Sequence, residues 1–155
     1  MPGRKPANPL VVILIASLIA GTLDGLAAIF ILAKGEAALV FKYIASAIYG
    51  KAAFAGGVGM VYTGIVFHYL IATCFTILFF IMYGFIPLVR KSLYLVTVLY
   101  GVFIWVVMNL LVLPITQIKN IITLEGALKN ILILIICVAL PIVLISYRYE
   151  RLKVK

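Results

Sequence analysis

The sequence predicts an all-α integral membrane protein: four transmembrane helices, with an interfacial amphipathic helix between the first and the second. Two observations carry this. Of the 155 residues, 66% are hydrophobic and only 11% are charged, whereas an ordinary soluble domain is about 45–50% apolar and about 25% charged. In addition, four apolar runs each reach the roughly 20 residues needed to cross a hydrocarbon core. A soluble globular domain and a disordered chain are both excluded. The length fits a single transmembrane domain, residues 1–155.

The four runs are Leu10–Ala33, Met60–Phe85, Leu93–Leu113 and Ala127–Ser146. None alternates with period two as a barrel strand would. Arg4 and Lys5 ahead of the first run resemble the start of a secretory signal. A signal's apolar region, however, is about 7–15 residues long, and this run continues through Asp24 to Ala33. A retained helix is expected.

The segment Glu36–Ala55 is too polar to span and too apolar for a plain loop. At helical spacing Val40, Phe41, Ile44 and Ile48 share one face, and Lys42, Ser46 and Tyr49 the other. That pattern predicts an amphipathic helix in the interface plane or over the mouth of the bundle. Gly56, Gly57 and Gly59 then permit a sharp turn. Pro87 ends the second helix, and the short loop Pro87–Ser92 follows. The connection Pro114–Gly126 carries Ile118, Ile121, Ile122 and Leu124, and is expected to form a short interfacial helix or a re-entrant turn. The tail Tyr147–Lys155 alternates aromatic and basic residues, as an extension of the fourth helix held at the headgroups by Tyr147 and Tyr149 would.

Four crossings put both termini on one side. Arg4, Lys5, Arg90, Lys91, Arg148, Arg151, Lys153 and Lys155 lie there, against Lys34, Lys42, Lys51, Lys119 and Lys129 opposite. The positive-inside rule makes the first side cytoplasmic. The net charge of +9 is accounted for by topology and anionic lipid, with no nucleic-acid partner. Gly50-Lys51 lacks the rest of a P-loop, and Gly57-Val58-Gly59 lacks the third glycine of a dinucleotide fingerprint.

Ionisable groups inside a bilayer cost about 2.5–3.5 kcal/mol on insertion scales and face the bundle interior. Asp24 is the only carboxylate in the four cores and His68 the only histidine. Asp24 shares a face with Ser17, Gly21 and Ala28, and Gly21 and Gly25 form a small-xxx-small pair that admits a neighbouring helix. His68 is flanked at one turn by Gly64 and Ala72, and Asn109 shares a face with Trp105 and Gly101. These faces place Asp24 and His68 within reach of each other, with Asn109 nearer the outer mouth. Pro141 cannot donate to the carbonyl of Cys137, which predicts a kink in the fourth helix. Cys74 and Cys137 fall at mid-helix, where a free thiol is a small hydrophobe. The ligand count implies no metal and no cofactor.

Several stretches resemble a group of small bacterial integral membrane proteins of unknown function. They are Ala20–Asp24, Ala45–Phe54, the His68 segment, Leu99–Val102 through Met108 and Asn109 to Leu113 and Pro114, and Val138–Pro141. The last two helices and the His68 segment are similar, more distantly, to the YagU-like inner-membrane family. The resemblance implies a four-helix protein of the bacterial inner membrane. The family label implies a part in acid resistance, which would single out Asp24 and His68. Members often carry a second histidine on the last helix, near the position of Leu134 here.

With no nucleophile–base set and no metal cluster, the expectation is a non-enzymatic protein. It would act by association, as a homo-oligomer or as an accessory subunit of a larger membrane complex. The alternative is a small proton- or ion-coupled permeation protein using Asp24 and His68.

Overall fold

The computed structural model describes residues 8–85, 92–118 and 122–153, and every regular element among them is helical. The first long helix joins α1 (Pro9–Ala27) to a π-helical turn, Ala28–Leu32. The Asn8 side chain caps it, accepting from the Leu10 N–H at 2.9 Å. Pro9 occupies the first turn, where its missing N–H is harmless. The helix closes when the Gly35 N–H returns to the Ile29 carbonyl at 2.8 Å. Within this turn Lys34 and Gly35 take φ of 52° and 98°.

Two short helices follow, α2 (Ala37–Tyr49) and α3 (Ala52–Ala55), and then the second long helix, α4 (Val58–Phe85). The third joins α5 (Leu93–Val106) to a π-helical segment, Val107–Val112, and a 3-10 turn, Leu113–Ile115. The fourth joins α6 (Leu124–Ile133) to a π-helical segment, Leu134–Ala139, and α7 (Leu140–Lys153). Their apolar stretches run 24, 28, 23 and 29 residues at mean hydropathies of 2.2 to 2.8. These are four helices long and apolar enough for a multi-pass membrane protein.

Several expectations are corrected. The helix predicted over Glu36–Ala55 is broken at Gly50, whose φ of 56° suits glycine. Its buried face is also rotated. Ser46, expected on the polar face, is buried, while Ile48 is 55% exposed. Close backbone contact with α4 selects small residues there, not merely apolar ones. The fourth long helix begins at Leu124 because Thr123 caps it, its Oγ1 accepting from the Gly126 N–H at 3.1 Å. Glu125 thus enters the first turn and pairs with Lys129 at 2.6 Å. Of the Pro114–Gly126 connection, expected as a short interfacial helix or a re-entrant turn, the described residues show the 3-10 turn Leu113–Ile115 at one end and the start of α6 at the other. The tail continues α7 as expected, but Tyr149 is buried, with its ring 6.1 Å from that of Phe80. Arg151 instead covers the Tyr147 ring at 5.0 Å. Arg4, Lys5, the Pro87 turn with Arg90 and Lys91, Lys119, Ile121 and Lys155 lie outside the described residues.

The apolar core occupies the half of the bundle away from α2. Phe79, Ile104, Ile142 and Val143 are fully buried there, with Ala20, Val96 and Tyr100 around them. The rings of Phe79 and Tyr100 meet edge to face at 4.7 Å. Buried hydroxyls are satisfied within their own helices: Thr76 donates to the Ala72 carbonyl, Thr97 to Leu93 and Ser146 to Ile142. Tyr100 differs, because its hydroxyl crosses from α5 to donate to the Phe75 carbonyl of α4 at 2.5 Å. Tyr100→Phe keeps the ring packing and removes only this bond. It is expected to cost about 1 kcal/mol, within the range of interhelical bonds in membranes. Reversible unfolding in mixed micelles measures it, and an unchanged midpoint would deny the bond any role.

Candidate functional site

Toward α2 the bundle is built from glycines and polar side chains. Gly21 and Gly25 of α1 form a shallow groove that receives α4. A Cβ on Gly21 would stand 2.9 Å from the Tyr69 ring, and one on Gly25 would stand 3.3 Å from His68 Nε2. The groove lets the imidazole reach the backbone of α1, where His68 Nε2 lies 2.7 Å from the Gly21 carbonyl oxygen. A carbonyl only accepts, so Nε2 carries the hydrogen and Nδ1 is left as the proton-accepting nitrogen. Tyr69, edge-on to His68 at 5.5 Å, shares a hydrogen bond with the Thr22 hydroxyl at 2.9 Å. Two neighbouring side chains of α4 therefore dock on two neighbouring positions of α1.

Asp24 stands within electrostatic range of His68 and also of Cys137 on the fourth long helix. Pro141 stands one turn after Cys137 on that helix. It offers no N–H to the turn before it, and that turn widens into the π-helical segment Leu134–Ala139, with the Leu140 N–H reaching back to the Ile135 carbonyl. The expected kink at Pro141 is thus taken up as a widened stretch of helix. The widening presses the Ile135 backbone onto Gly101, where an added Cβ would lie 2.8 Å from the Ile135 Cα. Cys74, by contrast, lies on the exposed surface of α4. Among the described residues no three His, Cys, Asp or Glu side chains are grouped closely enough to hold a metal ion.

The residues singled out in the sequence therefore divide. His68 docks in the groove of Gly21 and Gly25, on the helix that carries Asp24. Gly64 admits the backbone of Phe41 from α2, and Gly101 admits the fourth helix. Ser17 is buried and donates to the Leu14 carbonyl of its own helix, so it supports packing and does not enter the polar group. Asn109 belongs elsewhere. Its amide donates to the Trp105 carbonyl at 3.0 Å. It lines a separate cleft of about 80 Å³ with Trp105, Thr123 and Asn130, which neither Asp24 nor His68 borders. The indole Nε1 of Trp105 is buried without a hydrogen-bond partner.

Sequence reasoning missed that Cys137 comes within electrostatic range of Asp24. It also missed Gln117, a single polar residue in a loop with no pattern to mark it. Gln117 donates from its backbone N–H to the Ala47 carbonyl at 3.0 Å and from Nε2 to the Ile48 carbonyl at 2.6 Å. No family model, curated protein or solved structure matches this chain, so the site is read from its own geometry.

Proposed function

We propose that the chain is a small multi-pass protein of the bacterial inner membrane, with both termini cytoplasmic. In this reading it binds a proton at the Asp24–His68 pair and passes the response to other polypeptides by association. The observation that carries this is the docking of the only histidine into the glycine groove of α1, one turn from the only carboxylate in the four apolar runs. An imidazole held by Nε2–H, with a carboxyl nearby, binds or releases a proton without any other part being added. The YagU-like resemblance points to the same two residues.

The packing favours a sensor over a conduit. Beyond Ala20 and Gly21 the bundle is closed by the interlocked core of Phe79, Tyr100, Ile142 and Val143. A proton that reaches the pair from the α2 end therefore meets packed apolar side chains on the other side. An acid jump on the purified protein, followed with a pH-sensitive dye, is expected to show proton uptake that Asp24→Asn removes. Glu36→Gln, at an exposed carboxyl, is expected to leave it unchanged. Uptake equal in Asp24→Asn and the unaltered chain would sink the reading. Sustained flux through liposomes would favour the permeation alternative.

Association has its own support. In the most apolar stretch of each long helix, 28% to 33% of residues are buried within the chain. The rest is surface for lipid, for a second copy or for the helices of a larger complex. Native mass spectrometry after mild extraction is expected to show a homo-oligomer or a complex with other membrane subunits. A lone monomer under every mild condition would count against it.

A further inference from the structure

Besides α1, α2 also touches the proton site. The Phe41 ring stands edge-on to His68 at 6.1 Å, and the Phe41 backbone lies directly on Gly64, one turn before His68. Among the described residues α2 rests on α4 by close backbone packing, and no side-chain hydrogen bond joins the two helices. The buried residues of α2 are Ala45 and Ser46, and the Ser46 hydroxyl donates to the Tyr43 carbonyl within the same helix. Lys42 donates to the Phe54 carbonyl of α3, which ties α2 only to the short helix that follows it. Leu39, Ile48 and Tyr49 are exposed. Both ends of α2 meet left-handed residues, Lys34 and Gly35 before it and Gly50 after it. The hydrogen bonds that reach α2 from the rest of the bundle come from Gln117, and the two of them satisfy last-turn carbonyls of α2 that the helix itself leaves unpaired.

We infer that α2 is a hinged cover over the Asp24–His68 pair, and that Gln117 is the latch that holds it closed. This rests on reading that pair as the functional site. The hinges are the left-handed positions at either end of α2. The latch belongs to the connection between the third and fourth long helices, so movement of those two helices is transmitted to the cover. When the latch releases, Phe41 withdraws from the His68 ring and the imidazole is opened to the aqueous side.

His68 is the only histidine, so its exposure is read directly. The full chain, without a histidine tag, is reconstituted in liposomes and treated with diethyl pyrocarbonate, and modification of His68 is followed by mass spectrometry. Gln117→Ala is expected to raise the rate several-fold. Gln117→Glu is expected to raise it further, because a carboxylate would face carbonyls at the negative end of a helix. Gln117→Arg restores donors and adds a favourable charge there, and is expected to return the rate close to that of the unaltered chain. Equal rates in all four proteins, or Arg as reactive as Ala, would overturn the latch. Unchanged helix content by circular dichroism keeps a folding defect from passing as release. Acid-jump uptake separates the two claims: absent uptake in the unaltered chain defeats the pair, whereas intact uptake with flat reactivity defeats the cover.

Discussion

A single methyl group at Gly101 is expected to cost about 3 kcal/mol of stability, the upper end of the range for overpacking. The added Cβ would meet the Ile135 Cα at 2.8 Å and the Ile135 N at 3.0 Å. Backbone has no rotamer into which to retreat, so the third and fourth long helices must separate. Separation opens gaps along the rest of their contact, including the layer of Tyr100, Ile104 and Val138. Gly64→Ala is expected to act similarly, because its Cβ would run into the Phe41 carbonyl and lie 2.8 Å from the Phe41 Cα. Gly59 is the control. It lies in α4 with nothing within 4 Å of its Cβ position, so Gly59→Ala is neutral or gains about 0.5 kcal/mol from helix propensity. Unfolding in mixed micelles reads all three. A Gly101→Ala midpoint equal to that of the unaltered chain would mean that the two helices are not in contact as described.

These glycines also show how far the sequence could be read. The four long helices were legible because a bilayer demands length and hydropathy, and neither depends on tertiary detail. The docking of His68 on α1 was legible because small residues at helical spacing mark where another helix can come close. The identity of the approaching helix was not, and Gly64 turned out to receive α2 rather than another long helix. The buried face of α2 was misread for a related reason. Where backbone lies on backbone, the size of Ala45 and Ser46 outweighs their polarity, and Ile48 is turned outward. Cys137 was hidden by the π-helical segment before Pro141. A wider turn rotates every later side chain relative to a regular helix, and a pattern with period 3.6 carries no record of the rotation. Asn109 was expected nearer the outer mouth than the pair, and it lines a separate cleft. Its partner is the Trp105 carbonyl on its own helix, a local bond that competes with any reach across the bundle.

The pair itself is expected to behave unequally under substitution. His68→Leu removes both the bond to the Gly21 carbonyl and the group that faces Asp24, leaving a carboxyl with an apolar neighbour in its place. The expected cost is about 3 kcal/mol, as for other buried pairs broken on one side. Asp24→Leu is milder, because Nε2–H of His68 keeps its acceptor on α1. In the double variant the stranded carboxyl is gone, and part of the His68→Leu loss is regained. The coupling from the full cycle is then on the order of 1–3 kcal/mol. Strict additivity of the two single changes would mean that the side chains do not work as a unit, and the proposed proton site would lose its basis. If the coupling is present, the double variant decides what the pair is for. A double variant that folds well but takes up no proton after an acid jump would show that the bundle does not need these side chains to assemble. Two polar groups kept in an apolar setting that the fold can do without, and lost together with proton uptake, are explained by that uptake and not by packing.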